Sequence, residues 1–198
     1  GRHSEASAAF HRAAELALER NALEDAIATA RRGQAGGASG QRLGMLISVE
    51  AIANIWLWRM DEFMQLAPPG EKLLPPESSY RFILTAFQLY GHLMAGRLST
   101  ATQLVHTMTA AEPASGDHSL YIKYCMMVAI AAVPFGVREI SDLLIARVKQ
   151  ACQTTASLDT NVAAIFSHGC ADYTRAFGRD LCQTLILSRE AAEGHKAD

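Results

Sequence analysis

Met94-Ala95-Gly96-Arg97-Leu98-Ser99-Thr100-Ala101 is the stretch that decides the fold. An apolar, helix-periodic run ends on it, a glycine free to turn left-handed stands at the corner, and a new amphipathic run starts at once. The same arrangement returns at Gly136-Val137-Arg138-Glu139, forty residues on, and at Gly178-Arg179-Asp180-Leu181, forty-two beyond that. Upstream, Arg59 and Asn21 hold matching places, at intervals of thirty-seven and thirty-eight residues. Asparagine is one of the few residues besides glycine that tolerates the left-handed region. A period near forty with two helices in each period is the signature of stacked helical hairpins. Such a stack presents a surface and rarely does chemistry.

Working outward, the periodicity predicts five hairpins. The first spans about Ser4–Arg32, breaks at Asn21 and is ended by Gly33. Residues 33–41, Gly-Gln-Ala-Gly-Gly-Ala-Ser-Gly-Gln, read as a flexible loop. The second hairpin opens near Gln41 with a helix so rich in apolar residues (Met45, Leu46, Val49, Ile52, Ala53, Ile55, Trp56, Leu57) that it should be buried on most sides. A short partner at about Asp61–Leu66 is expected to stop at Pro68-Pro69-Gly70, because proline lacks the donor N–H and clashes with the preceding turn. The third hairpin covers about Ser78–Ala95 and Leu98–Ala111 and is closed by Pro113–Asp117. The fourth covers His118–Val133 and Val137–Gln153, the fifth Asp159–Phe177 and Asp180–Glu193. No stretch alternates with period two and strand composition, so the expected fold is all-α, ten helices in one domain over 1–198.

Bulk properties narrow the class. At 198 residues and 49% hydrophobic content the chain can bury a large core. A net charge of −2 and no basic stripe argue against direct nucleic-acid contact. Arginine-dominated basic residues and abundant alanine suit a high-GC, bacterial coding bias. Cys125, Cys152, Cys170 and Cys182 fall in helical runs with no Cys-x-x-Cys pair, which suits buried, reduced thiols and a cytoplasmic location. The longest apolar run, about Cys125–Val137, is broken by Pro134-Phe135-Gly136 and is short of the ~20 residues that cross a bilayer. Neither a membrane span nor a signal peptide is expected. The chain starts almost inside its first helix and ends in a polar fray, as a piece of a longer protein would.

The third hairpin resembles a tetratricopeptide repeat in Gly96 at the inter-helix turn, Ala101 five residues on, and Pro113 closing the second helix. The other hairpins agree at Ala14, Ala26, Ala129, Ala171 and Gly178. The period exceeds the strict 34 residues, and His92 and Leu89 stand where an aromatic and a small residue are usual. The whole resembles a degenerate tetratricopeptide-like array, similar to the sensor or interaction segments of bacterial LuxR- or MalT-type transcriptional regulators. The resemblance implies a right-handed superhelix of about five antiparallel hairpins whose first helices line a concave face. Carrying the inner-face positions over by the turn residues gives Trp56, Tyr90, Met94, Met126 and Ile130 centrally, with Lys123 beside them. His11 and Glu15 fall at one end and His168, Asp172 and Arg175 at the other. That composition suits a partner helix or peptide, or a small apolar effector; a homodimer is also compatible with it. Trp56-Leu57-Trp58-Arg59 further suggests cation–π stacking by Arg59 or Arg81, against the plainer reading of one Trp in and one partly out.

Catalytic patterns are missing. His168 and Asp172, at i and i+4, make a pair and not a metal site, and His-Glu-x-x-His is absent. There is no Gly-x-Ser-x-Gly elbow and no Gly-x-x-x-x-Gly-Lys loop, and Gly33–Gly40 follows a helix and not a strand. The expectation is therefore a noncatalytic module with no cofactor and no metal. Two other classes stay open. One is the ligand-binding domain of a compact all-α one-component repressor, whose opening helix Phe10–Arg20 superficially resembles. The other is an all-α enzyme.

Overall fold

The computed structural model describes residues 2–111 and 118–154. They form eight α-helices: α1 (Arg2–Glu19), α2 (Leu23–Ala35), α3 (Gly40–Trp56), α4 (Met60–Lys72), α5 (Ser79–Met94), α6 (Leu98–Ala110), α7 (His118–Ala132) and α8 (Arg138–Thr154). A single 3₁₀ turn, Val133–Phe135, follows α7. Among the described residues there is no strand, and the all-α expectation holds. The fifth hairpin, with Gly178, lies outside the described residues. The chain divides into two compact units, Gly1–Gly91 and His92–Asp198.

Four corners share one backbone geometry. Asn21, Trp58, Gly96 and Gly136 all have positive φ, at 59°, 59°, 68° and 67°. At each, the corner N–H bonds the carbonyl three residues back: Asn21 to Leu18, Trp58 to Ile55, Gly96 to Leu93, Gly136 to Val133. The next N–H reaches five residues back: Ala22 to Ala17, Arg59 to Asn54, Arg97 to His92, Val137 to Ala132. This is the Schellman pattern, which satisfies carbonyls that a helix end leaves open. Ala22, Arg59 and Arg97 then leave the corner with ψ of 67°, 69° and 66°. The second corner is thus Trp58 and not Arg59, one residue earlier than expected.

In the first unit α1 packs on α2 and α3, α2 on α3, and α3 on α4. The contacts are made by small residues: Ala14, Ala26, Ala30 and Ala53 are fully buried beside Ile27, Leu46 and Val49. Every residue from Leu46 to Asn54 is buried, as the crowded apolar pattern predicts. The polar members of that run are satisfied. Ser48 Oγ donates to the Gly44 carbonyl (2.8 Å) and Asn54 Nδ2 to the Glu50 carbonyl (2.9 Å). Glu50 accepts from Arg31 Nε and Gln34 Nε2, both at 2.7 Å, as a buried carboxylate must.

Two expected helix ends are corrected. Helix α2 does not stop at Gly33 but continues to Ala35, and only Gly36–Ser39 connect it to α3. Gly33 is buried, and a Cβ there would sit 2.9 Å from both Phe10 Cβ and Leu46 Cδ1. Its missing side chain lets the helices close up. Helix α4 runs through Pro68 and Pro69 to Lys72. Phe63, Ala67, Gly70 and Leu74 are buried at helical spacing on both sides of the prolines. Packing of that face, with Gly70 against Ile47, holds the turn that two missing N–H donors would otherwise open.

In the second unit α7 packs on α8 and α8 on α6. Arg147 closes the C-terminal end of α6: its Nε donates to the Thr109 carbonyl (3.1 Å) and its NH2 to that of Ala111 (3.2 Å). Its guanidinium lies 5.4 Å from the Tyr121 ring centroid, and Tyr121 Oη donates to the Met108 carbonyl (3.0 Å). Ser141 Oγ ties α8 to the Ala129 carbonyl (3.0 Å). Cys125 is fully buried, and burial pushes its thiol up to about 12.

Gly33→Ala tests the close approach. In an open helix this change gains about 1 kcal/mol. Here the crowding of Phe10 is expected to cost about 1–3 kcal/mol and to reverse the sign. Equilibrium urea unfolding should show a lower midpoint, and an unchanged or higher one counts against the packing described.

Candidate functional site

The residues carried over to the inner face behave differently from one another. In the first unit, Trp56 at the end of α3 is 52% exposed and packs edge-on against Phe87 of α5, centroids 6.2 Å apart. Phe87 is buried against Phe63 of α4 (6.0 Å). Tyr90, three residues on from Phe87, is half-buried on the neighbouring helix surface. Trp56 and Tyr90 therefore flank one buried phenylalanine. Behind them α5 lies close to α4: a Cβ on Gly91 would sit 2.9 Å from the Met64 sulfur.

In the second unit Met94 is 55% exposed, Ile130 is half-buried and Lys123 is exposed, its Nζ 5.8 Å from the Tyr124 ring centroid. Met126 is fully buried, so its side chain fills the core and lines no surface. Helix α7 is apolar on nearly every side, and its periodicity does not single out an outer face. His168, Asp172 and Arg175 lie outside the described residues. The cation–π reading of the tryptophan pair is corrected. Arg59 holds Glu24 in a two-pronged ion pair, and Arg81 lies 3.5 Å from Glu71. Both indoles are exposed, Trp58 to 84%, so neither is the buried partner.

A polar cluster joins three helices of the first unit. His11 and Glu15 stand one turn apart on α1, with His11 Nδ1 3.3 Å from the carboxylate. Arg42 of α3 approaches the same Nδ1 at 3.4 Å. In one tautomer the ring donates to Glu15; in the other it accepts from Arg42. Tyr80 of α5 donates its hydroxyl to Glu15 at 2.5 Å and meets the His11 ring edge-on, centroids 5.9 Å apart. His11 is buried, and its Nε2 has no hydrogen-bond partner. Burial lowers its proton affinity below the usual histidine range; Glu15 pulls the other way, and Arg42 and Arg12 reinforce the burial. Burial, then the bond to Glu15, raises the Tyr80 phenol well above its ordinary value. The cluster holds a neutral imidazole and a neutral phenol against one carboxylate. That arrangement ties α5 to α1. The sequence singles out His11 and Glu15, which the structure brings together in this cluster; Tyr80 and Arg42 were not legible, since nothing in sequence spacing links α5 to α1.

Among the described residues no group of three or more His, Cys, Asp or Glu side chains is placed to hold a metal, and no helix is long and apolar enough to cross a membrane. No family model, curated protein or solved structure matches the chain.

Tyr80→Phe removes the hydroxyl from a half-exposed carboxylate and is expected to cost about 1 kcal/mol, read from urea unfolding. The pH dependence follows from His11. Its folded-state pKa lies below the unfolded value near 6.5, so its contribution is complete above that pH and is lost as pH falls below it. His92 is shifted in the same direction, by burial and then by Arg97. His11→Leu should therefore flatten only part of the stability loss between about pH 7 and 5; an unchanged slope would show that His11 carries none of it.

Proposed function

We infer that this chain is a noncatalytic interaction or effector-sensing segment, a degenerate tetratricopeptide-like array within a cytoplasmic bacterial regulatory protein. The observation that supports it best is the recurring corner. Four left-handed residues, at intervals of thirty-seven, thirty-eight and forty, carry the same pair of hydrogen bonds. A repeated backbone unit of this kind is how helical arrays are built. The proposal includes the right-handed superhelix and a partner helix or small apolar effector bound on the inner face. Within the first unit the half-exposed aromatics Trp56 and Tyr90 around Phe87 supply an apolar surface with polar edges, which suits such a ligand. Binding would act on attached domains by favouring one arrangement of the helices over another.

Solution scattering tests the array: an elongated, curved particle is expected, and a compact globule would remove the reading. The inner face is tested with the apolar dye anilinonaphthalene sulfonate, added to the native protein. Trp56→Ala and Tyr90→Ala are each expected to weaken dye binding several-fold, an order set by loss of one apolar ring contact. Wild-type affinity in both would remove the aromatic surface as the site.

A further inference from the structure

Trp58 is the odd member of the four corners. The other three positions carry asparagine and glycine, residues that take a left-handed backbone with little strain. At the second corner the chain puts its bulkiest side chain at φ 59° and leaves it 84% exposed. The indole buries little apolar area there, so packing does not account for it. It is also the most exposed large apolar side chain among the described residues.

The surroundings specify what the ring could meet. Arg59 bonds Glu24 at the start of α2, which brings the Asn21 and Trp58 corners to one edge of the first unit. Residues 19–25 and 58–62 carry Glu19, Glu24, Asp25, Asp61 and Glu62 against Arg20 and Arg59. All five carboxylates are exposed, and Asp61 and Glu62 stand within four residues of the indole. Glu24, Asp25, Asp61 and Glu62 also stand in the first turns of α2 and α4, where an acid suits the positive helix end. That role explains the acids but not the tryptophan. An acidic edge repels phosphate backbones and anionic lipid surfaces, and tryptophan is the best aromatic acceptor of a cation.

We propose that the Trp58 corner is a docking point for a cationic segment of a partner protein, whose lysine or arginine stacks on the indole while Asp61 and Glu62 face its charge.

The test uses the full chain carrying Trp56→Phe, so that Trp58 is the sole indole, titrated with an octa-arginine peptide at low ionic strength. A saturable change in Trp58 fluorescence that weakens with added salt is expected. By calorimetry, Trp58→Gly should weaken peptide binding by about twofold to fivefold, the range of an exposed cation–π contact. The same variant should raise the urea midpoint, because glycine relieves the left-handed strain. Asp61→Asn with Glu62→Gln should weaken binding further, with the helical circular dichroism unchanged. Equal affinity of Trp58→Gly and the parent, or peptide binding that leaves Trp58 fluorescence unmoved, would overturn the proposal. So would a Trp58 response to phosphatidylserine vesicles in the absence of any response to the peptide.

Discussion

The left-handed corner with its two hydrogen bonds is the constraint on which the rest of the described structure depends. It reverses the chain in one residue and answers the last carbonyls of the incoming helix with backbone N–H groups. The outgoing helices α2, α4 and α6 have no side-chain hydrogen bond at their N-caps. Chain reversal therefore uses backbone alone, and side chains near the corners remain available for packing or for solvent. That freedom lets one corner carry a tryptophan while its equivalents carry asparagine and glycine.

Between corners, cohesion rests on small residues and on a few answered polar groups. Alanines at positions 14, 26, 30 and 53, with Gly33, bring α1, α2 and α3 close. Close approach leaves no room for an unpaired polar atom, so Glu50 is met by two donors from α2. The second unit solves the same problem with longer side chains: Arg147 reaches the end of α6 and Ser141 reaches α7. His11 and His92 are exceptions, each with one buried ring nitrogen that no protein group meets, an arrangement that costs stability.

Much of this was legible from residue patterns. Gly96, Gly136 and Asn21 identified three of the four corners because their backbone preference is local. The burial of α3 from Leu46 to Asn54 followed from its composition. What was not legible depended on contacts made at a distance. Prolines 68 and 69 stop a helix by local rules, but the buried face from Phe63 to Leu74 carries α4 past them. Gly33 looks like a terminator and is a packing residue. Trp58 was hidden because no propensity scale places tryptophan at positive φ. The link from Tyr80 to Glu15 spans sixty-five residues, and no local periodicity reports it.

The four-residue connection Gly36–Ser39 has a consequence for how this chain tolerates changes of length. An α-helix turns 100° per residue, so one residue added inside α3 would rotate the segment beyond it by that angle and swing Glu50 or Phe87's neighbour Trp56 off its partners. The same addition between Gly36 and Ser39 falls outside both helices, where Gly37 at φ 87° already supplies the bend. Insertions and deletions should collect there during divergence, while helix lengths on either side stay in register.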